Sequence, residues 1–219
     1  ASTVQTHPES LNVNSVTIAS PVDSYNVLLM NFAGLQTPLT VNALTVASNS
    51  ALAMHSSALR LNAPMATGMS IGGQFDQDDF SLVTGNQFDV GYIGPGVYNL
   101  ISGLLDVGHV WLGGSFGGVF NQLGGTNSVD IIHLESGGQY NFSGGEFEAT
   151  VYFNEGSTFR QRGGVLKKGL TVWRGTYILE NGINNGGLTL PTYSYGSGNA
   201  VAVQTGGTNL GSIDVGGEF

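Results

Sequence analysis

The residues that could do chemistry are few and scattered. Four histidines stand at His7, His55, His109 and His133, and no two of them form an HExxH or H-x-H pair. His109 precedes "VWLGG" and His133 lies in "IIHLES", corresponding strands of neighbouring repeats, so the two imidazoles are expected to approach each other. Two imidazoles without a third ligand make a weak metal site. Packing within a ladder is the expected role, and no metal is assigned. The run "FDQDDF" at 75–80 carries Asp76, Asp78 and Asp79. Alternating aspartates in a loop can hold calcium, but the glycine and terminal glutamate of an EF-hand loop are missing, which favours an exposed acidic turn. "GGTNSVDII" at 124–132 lacks the third glycine and the placed aspartate of the calcium-binding nonapeptide. Glycoside cleavage needs two carboxyl groups about 5 to 9 Å apart across a bond. Glu146 and Glu148 share a strand face, and Asp214 and Glu218 fall near the end, but nothing ties either pair to a cleft. No catalytic residue is assigned, and the chain is not expected to be an enzyme.

The glycine pairs raise phosphate binding. A dinucleotide loop needs G-x-G-x-x-G between a strand and a helix. "GGSFGG" at 113–118 runs straight into another strand, and no Gly-Lys-Ser/Thr occurs. No cofactor is expected. One charge asymmetry stands out. Five of the six basic residues, Arg160, Arg162, Lys167, Lys168 and Arg174, fall in one short window, with Trp173 beside Arg174. Two readings are open. One is a patch for an anionic glycan or for an acidic surface of another copy. The other is pairing between successive repeats with Glu148, Glu155 and Glu180.

Composition bounds the rest. The chain has 219 residues, 41% hydrophobic and only 10% charged, with 35 glycines. A typical domain is about 25% charged. A net charge of −9 argues against nucleic acid, whose phosphates need clustered Lys and Arg. With no cysteine, disulfides and thiolate chemistry are absent. No apolar run reaches the ~20 residues of a membrane helix, so no membrane insertion is expected. The opening "ASTVQTH" fits a chain matured by signal-peptide cleavage or an artificial start. Low charge with abundant Ser, Thr, Asn and Gly resembles exported proteins, and an extracellular or cell-surface location is the expectation.

The elements that must position these residues emerge from an internal repeat. "FSLVTG" 80–85, "YNLISG" 98–103, "FNQLGG" 120–125, "YNFSGG" 140–145, "FRQRGG" 159–164 and "YILENG" 177–182 share aromatic-x-[Leu/Gln/Phe]-x-x-Gly, and "AVQTGG" at 202–207 is a degraded copy. The aromatics are spaced by 18, 22, 20, 19 and 18 residues. Weaker strands such as "HVWLGG" and "VYFNEG" lie between them, and helical periodicity is nearly absent. A period of ~18–22 residues with short strands and glycine corners predicts an all-β chain. The expected fold is a single-domain right-handed parallel β-helix, or β-solenoid. Stacking predicts an inward aromatic column of Tyr98, Phe120, Tyr140, Phe159 and Tyr177. On the opposite side it predicts an amide column of Asn99, Asn121 and Asn141. It also places Glu148 beside Lys167 and Arg162 beside Glu180. Residues 1–14 are expected as an N-terminal arm or cap, 15–79 as irregular coils and 80–219 as regular repeats of one continuous domain. "NVLLMNF" at 26–32 is expected as a buried strand.

At "FNQLGGTNSV", "YNFSGGEF" and "FRQRGGVL" the chain resembles the ~20-residue repeats of large exported bacterial β-solenoid proteins, the autotransporter-passenger and adhesin-like class. The resemblance covers about 80–217 and implies an exported right-handed β-helix with structural, adhesive or surface-coat roles. The expected function is a non-catalytic extracellular structural module for adhesion or head-to-tail self-assembly into fibres, with itself or surface glycans as partners. The alternative is a carbohydrate-binding or polysaccharide-processing β-helix that uses Trp111, Trp173 and Tyr152 as stacking platforms.

Overall fold

The structure is a computed structural model that describes residues 2–3, 11–31, 38–63, 68–191 and 199–216. It is all-β. The described residues form 24 strands and no helix, and every strand pairs in parallel with a strand of a neighbouring turn, most of them on both sides. The chain coils as a β-solenoid with three ladder faces. The first face carries Gly96–Leu100, Gly118–Gln122 and Gln139–Phe142 among its rungs. The second is narrow, with rungs such as Thr126–Asn127 and Glu146–Phe147. The third carries Ile131–Leu134 and Thr150–Phe153.

A parallel strand pair cannot be joined by a hairpin, so each turn must travel around the core before it returns. Period-2 alternation then sends every second side chain inward. Along Gly118–Gln122, Phe120 and Gln122 are buried while Asn121 faces outward. Repetition turns these positions into columns. Leu28, Leu52, Phe75, Tyr98, Phe120, Tyr140, Phe159, Tyr177 and Ala202 are successive partners in one inner column. From Tyr98 to Phe159 the rings stack with centroids 4.7–4.8 Å apart and within 11° of parallel. That is the strand spacing itself, so the sheet sets the stack, and each pair adds about 0.5–1.5 kcal/mol beyond its burial.

This register corrects one expectation. Phe75, not Phe80, is the aromatic below Tyr98, and the two rings lie 4.8 Å apart. Phe80 sits at a corner with φ +58° and is 76% exposed. Its φ is rare for an aromatic residue. The column positions therefore step by 24, 23, 23, 22, 20, 19, 18 and 25 residues, a wider range than the 18–22 expected. In the strand Asn26–Asn31 only Met30 is buried, while Val27, Leu28 and Leu29 are half-buried; among the described residues the rung beneath it is the two-residue Ser2–Thr3, and Phe32 lies outside the described residues. The first 14 residues are described only at Ser2–Thr3 and from Leu11. Asn12–Ile18 is already a rung paired with Leu39–Val46.

Candidate functional site

Inside the first face, a second column runs two residues along from the aromatics: Met54, Gln77, Leu100, Gln122, Phe142, Gln161, Leu179 and Gln204. Gln77, Gln122 and Gln161 are fully buried, and each is satisfied in the same way. The phenol of the next turn donates to the glutamine oxygen: Tyr98 to Gln77 at 2.5 Å, Tyr140 to Gln122 at 2.7 Å and Tyr177 to Gln161 at 2.8 Å. The amide nitrogen donates to a backbone oxygen of the next turn: Leu104, Glu146 or Ile183 respectively. Burial of a polar amide is tolerable only on such terms. Desolvation holds the Tyr98 and Tyr140 phenols well above the ordinary tyrosine range. The two-turn alternation is therefore Phe-x-Gln, then Tyr-x-Leu or Tyr-x-Phe. Aligning the sequence on Phe80 hides it; aligning on "FDQ" at 75–77 shows it.

Outside the same face, the amide column is in place and has a direction. Asn141 donates to Asn121 at 2.9 Å, Asn121 to Asn99 at 2.8 Å and Asn99 to the Asp76 carboxylate at 2.6 Å. Asp76 can only accept, so it orients every amide after it. Gln74 holds the same carboxylate at 2.8 and 2.9 Å. The three aspartates expected as an acidic turn have separate partners. Asp78 accepts from Ser102 at 3.1 Å, and Asp79 is hydrogen-bonded to Ser56. Among the described residues no three potential metal ligands converge.

The basic cluster lies largely within a web of ion pairs. Arg162 meets Glu180 at 2.8 Å and Arg160 meets the same carboxylate at 3.6 Å. Lys167 bridges Glu146 at 2.6 Å and Glu148 at 2.7 Å. The lysine holds the Glu148 carboxyl below its usual range, first through the hydrogen bond and then through charge. Exposed pairs of this kind contribute little stability, but they reduce the field that a distant anion would meet. Lys168 adjoins this web and adds to the charge acting on Glu148. Trp173 is partly exposed, and both it and Arg174 have partners within the fold.

The third face carries an outward aromatic stack. Trp111, His133 and Tyr152 occupy one column on successive turns. Trp111 and His133 have centroids 3.8 Å apart and planes within 7°, and His133 and Tyr152 are 5.6 Å apart. His109 belongs to the neighbouring column, yet its Nδ1 lies 3.4 Å from Nε2 of His133. Burial lowers the His133 pKa, with a further push from His109 and an opposing pull from Glu135. Glu135 accepts from Asn154 at 2.6 Å. Below Trp111, the column continues to Asp89, which accepts from Ser70 at 2.9 Å and is raised in pKa by burial. Rings stacked on one another turn their edges to solvent. Tyr152, 43% exposed, is the exception: one of its faces looks toward Thr171, which has no ring. Aligning Leu112 with Leu134 shows from sequence that Trp111, not His109, is the partner of His133.

The last turn is the remaining surface. Ala200–Gln204, Thr208–Asn209 and Ile213–Gly216 each pair on one side only among the described residues. Ile213 and Val215 stand over Leu188 and Leu190 in the inner columns, yet they are 56% and 64% exposed. Glu218, one of the carboxylates weighed above, and His7 lie outside the described residues.

No family model matches the chain, and no curated protein or solved structure matches it.

Proposed function

We propose that this chain is a non-catalytic structural β-solenoid of the exported, cell-surface kind, a module for adhesion or head-to-tail assembly into fibres. The observation that carries this reading is an interior whose polar groups are committed to joining one turn to the next: Gln77, Gln122 and Gln161 are buried, and each is hydrogen-bonded to the phenol and a backbone oxygen of the following turn. A stack built this way serves as a scaffold, and a contact between unlike ends of such a stack gives linear growth instead of a closed ring. Resemblance of "FNQLGG", "YNFSGG" and "FRQRGG" to adhesin-like repeats supports an extracellular setting. Negative-stain electron microscopy of the purified protein tests it: strings longer than one rod are expected, and isolated rods at every concentration would overturn end-on growth in the absence of a partner.

A second reading, binding of surface glycans, is favoured by Tyr152, whose face toward Thr171 is open to a sugar ring. A glycan array in which Tyr152→Ala loses the signal would support it. A blank array would remove it.

A further inference from the structure

Two tyrosines of the middle turns present a ring face to solvent. Tyr152 is stacked on His133 below and looks toward Thr171 above. Tyr92 stands at the corner after the third face and is 40% exposed. Its ring lies flat over Gly114, where an added Cβ would meet ring atoms Cδ1, Cε1 and Cε2 all at 3.4 Å. A residue without a side chain at 114 is what lets the ring lie down. Between the two tyrosines is a polar pair. Asn154 continues the strand of Tyr152, its backbone N–H donating to Leu134 O at 2.8 Å, and its side chain donates to Glu135 Oε2 at 2.6 Å. Burial raises the Tyr92 phenol above its ordinary range, and the Glu135 carboxylate, then Asp89, add to the rise, so Glu135 is within electrostatic reach of that ring. One hydrogen bond joins Asn154 to Glu135. An amide carries two donor hydrogens and an acceptor oxygen, and a carboxylate accepts through both oxygens, so each member of the pair has capacity left for a ligand. Thr150 is exposed on the near side of Tyr152.

We propose that this surface binds an uncharged glycan, with pyranose rings laid on Tyr92 and Tyr152 and vicinal hydroxyls held by Glu135 and Asn154 between them. A pyranose with equatorial hydroxyls has a flat face of C–H bonds and a rim of hydroxyls in the ring plane. Such a ligand needs an aromatic face beneath it and a few placed polar groups at its rim. The inner column beside the site runs Val90, Leu112, Leu134, Phe153, so Tyr92 and Tyr152 belong to turns three apart. Tyr92 leans one turn toward Tyr152 to cover Gly114, which leaves about 10 Å between the rings along the axis. That is the reach of a short oligosaccharide, not of a single sugar. Charge sets the class. Glu135 sits in the middle of the site, and the exposed Glu155 follows Asn154. Arg160, Arg162 and Lys167 are already held by glutamates. A uronate would bring its carboxylate against Glu135 and Glu155, and a neutral sugar would not. This binding mode rests on the glycan reading above and adds to it the second ring, the polar pair and the class of sugar.

The test uses the whole protein with β-1,4-linked tetramers of glucose, mannose, galactose and xylose, and with tetramers of glucuronate and galacturonate. Calorimetry should show an uncharged tetramer binding more tightly than either uronate, with an affinity that salt does not change. Tyr152→Ala and Tyr92→Ala should each weaken that tetramer. Glu135→Gln keeps the shape of the side chain and its contact with Asn154. It should weaken the same tetramer roughly five-fold, the size expected for one net hydrogen bond, and should narrow its advantage over the uronates. Thermal melts of Tyr152→Ala and Glu135→Gln should match the parent, since both sites are on the outer surface. Tighter binding of a uronate, or an affinity that either Tyr92→Ala or Glu135→Gln leaves unchanged, overturns the proposal. Glycan binding at Tyr152 then still stands if Tyr152→Ala removes it. Silence from every tetramer overturns the proposal too, and a blank glycan array alongside it overturns both.

Discussion

At the scale of single residues, the most consequential groups are polar ones that no water reaches. Tyr140 donates to Gln122 and accepts from Asn127 at 2.6 Å, and all three are fully buried. Tyr140→Phe strands an amide oxygen and an amide hydrogen in the core. Urea denaturation should show a loss of about 1–3 kcal/mol for this change. Pairing it with Gln122→Leu should cost less than the sum of the two single changes, because the double variant removes both partners of one bond. His133 offers a pH-dependent counterpart on the surface. Its folded pKa is depressed, by burial first and by His109 second, so the fold favours the neutral ring. That contribution is complete above the unfolded value near 6.5 and is lost as pH falls through the lower folded value. Histidine NMR titration should find His133 below the usual range, and His109→Gln should move it upward.

At the scale of the element, the corner decides whether a rung can stack. Gly145 has φ +83°, and a Cβ there would lie 2.1 Å from the carbonyl oxygen of Gly125 in the turn below. Gly156 has φ +77°, but its nearest neighbour would be the Ser136 hydroxyl at 3.5 Å. Both substitutions to alanine incur the left-handed penalty of roughly 1–2 kcal/mol. Only Gly145→Ala adds a backbone collision between turns. Thermal or urea unfolding should therefore rank Gly145→Ala clearly below Gly156→Ala in stability. Similar losses would show that the turns can separate at that corner without cost. The amide column shows the same logic in side chains: one carboxylate, Asp76, gives three asparagines a common direction.

At the scale of the whole molecule, each turn touches only its neighbours, so stability is a sum of rungs and interfaces. Central turns have two neighbours and end turns have one. The central columns from Phe75 to Phe159 are buried on every rung, whereas Val201, Val203, Ile213 and Val215 of the last turn are exposed. Amide hydrogen exchange should be slowest in Gly96–Leu100, Gly118–Gln122 and Gln139–Phe142 and should quicken toward Ile213–Gly216. Uniform protection along the rod would contradict the nearest-neighbour picture. The net charge of −9 acts at this scale as well, since it opposes side-by-side clustering of copies.

The sequence by itself determined the all-β class, the parallel stacking and the inward column from Tyr98 to Tyr177. A chain that repeats an aromatic, an alternate buried position and a glycine corner has few other ways to bury its apolar side. It also placed Lys167 beside Glu148 and Arg162 beside Glu180, because partners one period apart must be neighbours in a stack. The tertiary structure alone decided the register of the earlier turns, where corners of unequal length shift the period. Phe75 displaced Phe80 for this reason, and with that shift the glutamine–tyrosine alternation came into view. The approach of His109 to His133 was legible from their corresponding strands, but three-dimensional packing set its form: His109 reaches His133 diagonally at 3.4 Å, while Trp111 is the column neighbour stacked on it.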